Sequence, residues 1–333
     1  MAVKPDLDSL DLMILGEMEI DGRRSASSLA KNLGISRAYA GRRLQRLLDQ
    51  QVTRIVAFTN PLVLGYQTVA IIGIQVLPSE INRAAQALSQ YPNIYLMLIT
   101  AGQQDIIIWT MFQSPSHLSE FLCSELGAVP GITSTETMMI LEMRKLSFSF
   151  VTAATVEKGS QLKAGTVSPF QQFSTDTKVE LDKPDLIMLK ELEKDARQPI
   201  SELARKMGTS RASASHRLQR LLETQLTRIV AFTNPFILGY NFFSLIGIKV
   251  SPGQIEAAVE RLCIFPDLFM VAKTAGRYDI IVWAVFKTPL DLSAFLMGEL
   301  AQTPGITSTD TIIALELRKM SFMYLASSLR GEE

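Results

Sequence analysis

The sequence predicts an α+β fold of two tandem units, each a winged helix-turn-helix head followed by a βαββαβ, ferredoxin-like body. Three observations carry that prediction. First, the hexapeptide beginning at Arg43 recurs at Arg217, an offset of 174 residues. The same offset carries TRIVAFTNP from Thr53 onto Thr227 unchanged, and PGITSTET from Pro130 onto PGITSTDT from Pro304. Residues 7–152 align with 181–326 without a gap, and roughly half of the positions are identical, so the chain is two copies of one unit. Second, the opening of each copy repeats its apolar residues with a helical period. Third, the remainder alternates with a strand period broken by two helical stretches.

The elements of the first copy follow in order. Over residues 10–20, Leu12, Ile14, Leu15 and Met18 share one helical face, and over 25–33 Leu29, Ala30 and Leu33 do the same. Gly34 punctuates and Ser36 is an N-cap for a helix over 37–50, with Leu44, Leu47 and Leu48 inward and Arg42, Arg43 and Arg46 on the other side. Three short helices with a glycine turn before the third make a helix-turn-helix. The second copy repeats them over 184–194, 201–207 and 210–224, with Gly208 at the turn. A β-rich run at 54–59 follows as a strand or wing. Beyond it the pattern predicts a strand at 69–76, a helix at 79–90, strands at 94–101 and 106–112, and a helix to about 126. Ser114-Pro115 supplies that helix with an N-cap and a first-turn proline, and a strand at 133–142 closes the unit. This is the split βαβ order, whose sheet keeps one face uncovered by helices, so the second copy is its expected partner. The predicted domains are 1–60 and 181–234 for the heads, 61–152 and 235–333 for the bodies, and 153–180 for an exposed Ser/Thr/Gln/Lys-rich linker.

Composition narrows the class. With 47% apolar residues in 333, both cores are well supplied and a disordered chain is excluded. The longest apolar runs are about ten residues, short of the ~20 that span a bilayer. Lys4, Asp6, Asp8 and Asp11 occupy the place where a secretory signal would be apolar, so a cytoplasmic location is expected. Cys123 and Cys263 lie in apolar helical patterns and read as buried free thiols. Met97, Met138 and Met139 read as core or interface filler. Two cysteines and two histidines far apart in sequence, with no glycine-rich phosphate loop after a strand, predict no metal, no cofactor and no catalytic residue.

Charge is balanced overall, 33 basic against 33 acidic residues, but not locally. From Arg23 to Arg54 eight basic residues face one acid, and from Arg197 to Arg228 seven face two, giving +7 and +5, whereas both bodies are net acidic. A basic face on a helix is ordinarily a solvated one. Its coincidence, twice, with a helix-turn-helix pattern points to double-stranded DNA as the partner. The expected contacts are Ser36, Arg37, Tyr39, Arg42, Arg43 and Arg46 in the first head, and Ser210, Arg211, Ser213, Ser215, His216, Arg217 and Arg220 in the second. Arg42 can fork onto guanine in a way that His216 cannot, so unequal half-sites are expected, read by a built-in pseudo-dimer.

Each unit resembles the Lrp/AsnC (feast/famine) family of transcriptional regulators, and the chain resembles a tandem fusion of two. The motifs are Leu7-Asp8-x-x-Asp11-x-x-Ile14-Leu15, Asp21-Gly22-Arg23, Leu29-Ala30, Gly34-x-Ser36, Arg43-Leu44-x-x-Leu47, Asn60-Pro61-x-x-Leu64-Gly65-Tyr66, Gly102-x-x-Asp105 and Pro130-Gly131-Ile132. The second copy answers with Leu181-Asp182-x-x-Asp185, Asp195-Ala196-Arg197, Asn234-Pro235, Gly239-Tyr240, Gly276-Arg277-Tyr278-Asp279 and Pro304-Gly305-Ile306. The resemblance implies effector domains that dimerise by facing sheets, assembly into larger homo-oligomers, and an amino acid or related small metabolite bound near the Gly-x-x-Asp loop. It places that effector at Thr100, Gly102, Gln104, Asp105, Thr133, Ser134 and Thr135, and at Thr274, Gly276, Tyr278, Asp279, Thr307, Ser308 and Thr309. Without the family, the loop reads as a tight hairpin glycine with a turn aspartate. Two departures stand out. Gln51 and Gln225 replace the glycine usual between recognition helix and wing, so a differently built turn is expected there. The loops also differ, GQQD against GRYD, so two unequal pockets are expected.

Two other functions fit the pattern. Sirohaem decarboxylases resemble the same family and also occur as fused tandem chains. Their acid–base chemistry leans on histidine near the cleft, and here His117 reads as the start of a surface helix while His216 falls in the second head. No enzymatic activity is therefore expected. An effector-independent architectural DNA-binding protein would share every head residue and differ only in lacking ligand-dependent DNA binding.

Overall fold

A computed structural model describes residues 5–152 and 181–325. The expected linker, 153–180, lies outside the described residues. The chain forms two compact units that cut across the repeat: one gathers both helical heads with residues 147–152, the other both βαββαβ bodies.

In the head unit, α1 (Ser9–Ile20) starts at a reciprocal capping box between Asp8 and Asp11. Next come α2 (Ala26–Leu33), capped by Ser25 and ended by Gly34 at φ 66°, and α3 (Arg37–Asp49), capped by Ser36. Ile14, Leu15, Met18, Leu29, Ala40, Leu44 and Leu47 close the three-helix core, as their spacing predicts. At the end of α3, Gln51 N–H donates to Leu48 O at 3.0 Å and Val52 N–H to Leu47 O at 3.0 Å, with Gln51 at φ 54°. This is a full Schellman closure. The expectation of a differently built turn is thus corrected: glutamine adopts the left-handed conformation that glycine would take with less strain, and Gln225 does the same at φ 56°.

Strand β1 (Thr53–Thr59) has no strand partner within its own head. It pairs antiparallel with β6 (Thr227–Thr233) of the second head, Thr53 opposite Thr233 and Thr59 opposite Thr227. The two heads thereby share one ribbon whose pseudo-two-fold axis passes Val56 and Val230. Arg23 crosses the same junction, donating to Ala196 O at 2.9 Å and Gln198 O at 3.1 Å. Phe148 and Phe150 pack on Phe232, and Val151 enters the core of the first head. Helices α6 (Lys183–Lys194), α7 (Ile200–Met207) and α8 (Arg211–Glu223) repeat α1–α3.

In the body unit the first copy gives β2 (Thr68–Val76), α4 (Ile81–Ser89), β3 (Ile94–Ala101), β4 (Ile106–Phe112), α5 (Pro115–Glu120) and β5 (Ile132–Leu146). The second gives β7 (Phe242–Val250), α9 (Ile255–Cys263), β8 (Leu268–Ala275), β9 (Ile280–Phe286), α10 (Pro289–Phe295) and β10 (Ile306–Met320). Each sheet has the order expected of a split βαβ unit, and each long last strand continues onto the other copy, β5 beside β8 and β10 beside β3. The result is a closed eight-stranded barrel. The helices cover the outer faces over Ile72, Ile74, Ile106 and Ile108 and over Ile246, Ile248, Ile280 and Val282. Inside, the chain's two tryptophans, Trp109 and Trp283, meet edge to face at 5.5 Å.

Closure removes free sheet edges, and lysines staple it. Lys319 Nζ donates to Ser89 O and Tyr91 O at 2.9 and 2.7 Å, at the C-terminal end of α4, where helix carbonyls lack intrahelical donors. Lys145 Nζ does the same with Phe265 O at 2.6 Å beyond α9, and burial pulls its ammonium down to about 8. Met97 and Met138 are buried. The buried-thiol expectation fails at Cys123, which is exposed. After α5 the chain winds a π-type turn, Phe121–Glu125, and the extra residue rotates Phe121 and Leu126 inward and Cys123 outward. Cys263 is partly buried.

Candidate nucleic-acid interface and ligand cleft

The recognition helices begin alike. Ser36 Oγ accepts from Tyr39 N–H at 3.2 Å and Ser210 Oγ from Ser213 N–H at 3.1 Å, so these two serines are caps. Arg37 and Arg42 are exposed on α3, Arg211, Ser215 and His216 on α8, and none of the ion pairs among the described residues includes them.

Arg43, Arg46, Arg217 and Arg220 are placed differently. Arg43 Nη1 donates to Asp8 Oδ2 at 2.5 Å and Asp11 Oδ1 at 3.0 Å, and its guanidinium lies 5.0 Å over the Tyr39 ring while bonding the Tyr39 hydroxyl. Arg46 joins the same buried Asp11. These carboxylates hold the Arg43 guanidinium above its ordinary value, and the Asp11 N–H followed by Arg43 holds Asp8 below the usual carboxylate range. In the second head Arg217 takes Asp182 and Asp185 at 2.7 and 2.9 Å, and Arg220 takes Asp185. The four arginines therefore brace the recognition helix on the first helix of its head. The signal was present in sequence: two acids three residues apart matched by two arginines three apart on α3, and again on α8. Tyr39 is likewise committed to Arg43, a contact that Ser213 is too short to copy.

Of the eight bases counted in the first head, Arg23 crosses to main-chain carbonyls, Arg24 pairs with Glu17, and Arg54 stacks 5.2 Å over Phe232. With Arg43 and Arg46 also engaged, Lys31, Arg37 and Arg42 remain exposed without an ion pair among the described residues.

In the bodies, the two glycine loops join β3 to β4 and β8 to β9. Gly102 and Gly276 sit at φ 141° and 137°, and a side chain at Gly276 would press on Thr137 O of the other copy at 3.1 Å. Asp105 accepts from Val76 N–H at 2.8 Å and Asp279 from Val250 N–H at 2.9 Å, so both aspartates tie their loop to the first strand of the same copy's sheet. Thr100 and Thr274 hydroxyls donate to the loop carbonyls of Gln104 and Tyr278 at 2.6 and 2.8 Å. These four residues hold the two loops in place. Thr133, Ser134 and Thr135, and Thr307, Ser308 and Thr309, line exposed stretches of β5 and β10; Ser134 bonds Gln75 Oε1 at 2.5 Å, and Thr307 bonds Lys249 O at 3.2 Å.

The side chains around the two loops are unequal. Tyr278 lies across Gly247 and donates its hydroxyl to Asp310 at 2.8 Å; burial and that carboxylate push the phenol up. Gln104 lies across Gly73 and donates Nε2–H to Glu136 at 3.2 Å. A long side chain opposite a short acid in one copy matches a short side chain opposite a long acid in the other. Arg277 bonds Asp310 at 3.1 Å and approaches Glu136 at 3.8 Å.

Comparison with known proteins identifies the domains that carry these residues. An AsnC-type helix-turn-helix domain model matches residues 7–48 and 181–222, and an Lrp/AsnC ligand binding domain model matches 69–150 and 244–323. An uncharacterized HTH-type transcriptional regulator of Pyrococcus furiosus is 34% identical over 146 residues, 44% of this chain and 99% of that protein. The HTH-type transcriptional regulator FL11 of Pyrococcus abyssi is 31% identical over 143 residues, 43% of this chain and 94% of that protein. Each such relative matches the length of one copy. Across both copies, a crystal structure of the siroheme decarboxylase NirDL superimposes with TM-score 0.64, covering 97% of this chain and 100% of that one at 13% identity, a likeness of fold alone.

Proposed function

Because the chain belongs to the Lrp/AsnC family and carries two family units in tandem, we propose that it is a DNA-binding transcriptional regulator whose two heads read unequal half-sites under control of a small metabolite. One observation carries the DNA reading. The exposed N-terminal turns of α3 and α8 keep Arg37, Arg42, Arg211 and His216 out of the internal ion pairs that absorb the deeper arginines. Arg42 reaches a guanine edge bidentately, and His216 at the matching place offers a different contact. The shared ribbon fixes the two helices as a pair, so the half-sites fall about one helical turn apart. Selection of bound duplexes from a random pool tests this: an imperfect palindrome is expected, and a perfectly symmetric consensus would remove the unequal reading.

The unequal loops support two non-equivalent effector sites per chain. Calorimetry returning two identical sites would refute that reading. Leu141 and Leu315, at matching places on β5 and β10, are 66% and 67% exposed and support association of further chains. Sedimentation of a monomer at micromolar concentration would remove that part.

A further inference from the structure

At the end of β4 away from the glycine loop, the first body holds a cavity of about 300 Å3 whose lining includes Tyr66, Tyr95, Met111, Phe112, Glu120 and Glu125. Strand β4 is 7 residues long, so about 20 Å of strand separate this cavity from the Gly-x-x-Asp loop. Neither the DNA reading nor the effector reading uses it.

Its lining is aromatic and acidic. The Tyr66 hydroxyl donates to Tyr324 O at 2.8 Å and the Tyr95 hydroxyl to the Tyr66 hydroxyl at 3.0 Å, so the two tyrosines offer the cavity ring surface rather than free donors. Glu125 ends the π-type turn that follows α5, Glu120 ends α5 itself, and neither carboxylate is in an ion pair among the described residues. Burial, and after it the Glu120 charge, push the Glu125 carboxyl above its ordinary value. Two acids thus share one cavity with no base beside them. His117 also lines it, yet among the described residues no three carboxylate, imidazole or thiol groups come together as a metal ligand set.

The second copy is a control built into the same chain. At the offset of 174 residues, Glu120 is replaced by Ala294, Gln113 by Lys287 and Ala87 by Arg261. Arg261 pairs with Glu299, the counterpart of Glu125, at 3.0 Å. The acids that copy adds, Asp267 and Asp291, stand near the Lys145 ammonium and in the Thr288 capping box. There one carboxylate is gone and the other is neutralised from within the fold. In the first copy the neutralising charge has to come from solution.

The geometry points to a small organic cation, an ammonium-bearing metabolite, bound in this cavity of the first copy alone, with its charge on Glu120 and Glu125 and its methylenes against the Tyr66, Tyr95 and Phe112 rings. An anion meets two uncompensated acids there, and a neutral molecule leaves both unpaired. The site stands independently of any effector at the glycine loops.

Calorimetry on the full chain at low salt and neutral pH tests this, with putrescine as the probe and succinate and 1,4-butanediol as anionic and neutral controls of the same carbon length. One putrescine per chain is expected, bound about ten-fold or more tightly than either control. Glu125→Gln, and separately Gln113→Lys, which installs the second copy's base at an exposed place, are each expected to weaken putrescine about ten-fold or more while thermal melts show the variants folded. No putrescine binding, equal affinity for 1,4-butanediol, or parent-like binding by both variants would overturn the proposal. Displacement of putrescine by an equal concentration of Mn2+ would hand the two acids to a metal and overturn it as well.

Discussion

Glu19 provides a sharp test of how the first head holds the segment that follows β5. Its carboxyl is wholly buried and accepts from Val151 N–H at 2.8 Å, Thr152 N–H at 3.1 Å and the Thr152 hydroxyl at 3.0 Å. Burial outweighs those three donors and pushes the group from 4.5 up to about 8. The folded head therefore retains a proton that the unfolded chain releases above pH 4.5, so stability falls as pH rises toward 8. At 1.36 kcal/mol per unit, the loss across that window is on the order of 3–5 kcal/mol. Glu19→Gln mimics the protonated acid, with one acceptor kept and one replaced by a donor, and it does not titrate. Urea unfolding followed by far-ultraviolet circular dichroism at pH 5, 6, 7 and 8 reads the difference between parent and variant, which cancels every other titrating group. The two should be close at pH 5, and the variant should gain on the parent by up to about 1.4 kcal/mol per unit as pH rises. A difference constant within ~0.5 kcal/mol would mean that the N–H donors keep Glu19 ionised throughout, refuting the reasoning.

Other outcomes follow from the same geometry. Gln51→Gly and Gln225→Gly should each raise stability by about 0.5–1 kcal/mol in chemical denaturation, because both sites already have the left-handed backbone that glycine adopts without penalty. Arg42→Ala should weaken binding to the selected duplex by about 1–3 kcal/mol with no change in melting temperature, whereas Arg43→Ala should lower the melting temperature by freeing Asp8 and Asp11; fluorescence anisotropy and thermal melts separate the two. With about five exposed cations across the two heads, log affinity against log salt should slope near −4 to −5. A slope near −10 would show that the braced arginines also reach phosphate.

What the sequence made legible is what local pattern and the repeat control. Ser36, Gly34 and the spacing of Leu44 and Leu47 predict α2 and α3 within a residue or two of their observed ends, because caps and helical period act within one turn. The strand expected at 133–142 instead runs to Leu146, since Met143 to Leu146 is made a strand by β8 of the other copy, and nothing local encodes a partner over a hundred residues away. The same cause hid the partner of β1. In the candidate site, residue types were legible and their commitments were not. Arg43 looks like Arg42 in a list of bases, and only the placement of α1 against α3 shows that one is engaged by Asp11 while the other faces solvent.

Duplication within one chain permits differences that two identical subunits could not hold on the two sides of one interface. At the ribbon, Gly22 N–H bonds Ile229 O at 2.7 Å, and a methyl group there would lie 3.0 Å from the Val230 backbone; the corresponding place in the second head holds Ala196, whose carbonyl is taken by Arg23. Gln198 receives the same arginine, and the matching place in the first head is Arg24, drawn away to Glu17. Beside the glycine loops, Gln104 with Glu136 answers Tyr278 with Asp310, each pair sized to keep one hydrogen bond. A homodimer would have to place any one of these choices on both sides at once. Here each side keeps its own, so the asymmetry of the recognition helices, Arg42 against His216, lies in a scaffold already asymmetric at its ribbon and beside its glycine loops. The proposed unequal operator would be a consequence of that same covalent arrangement.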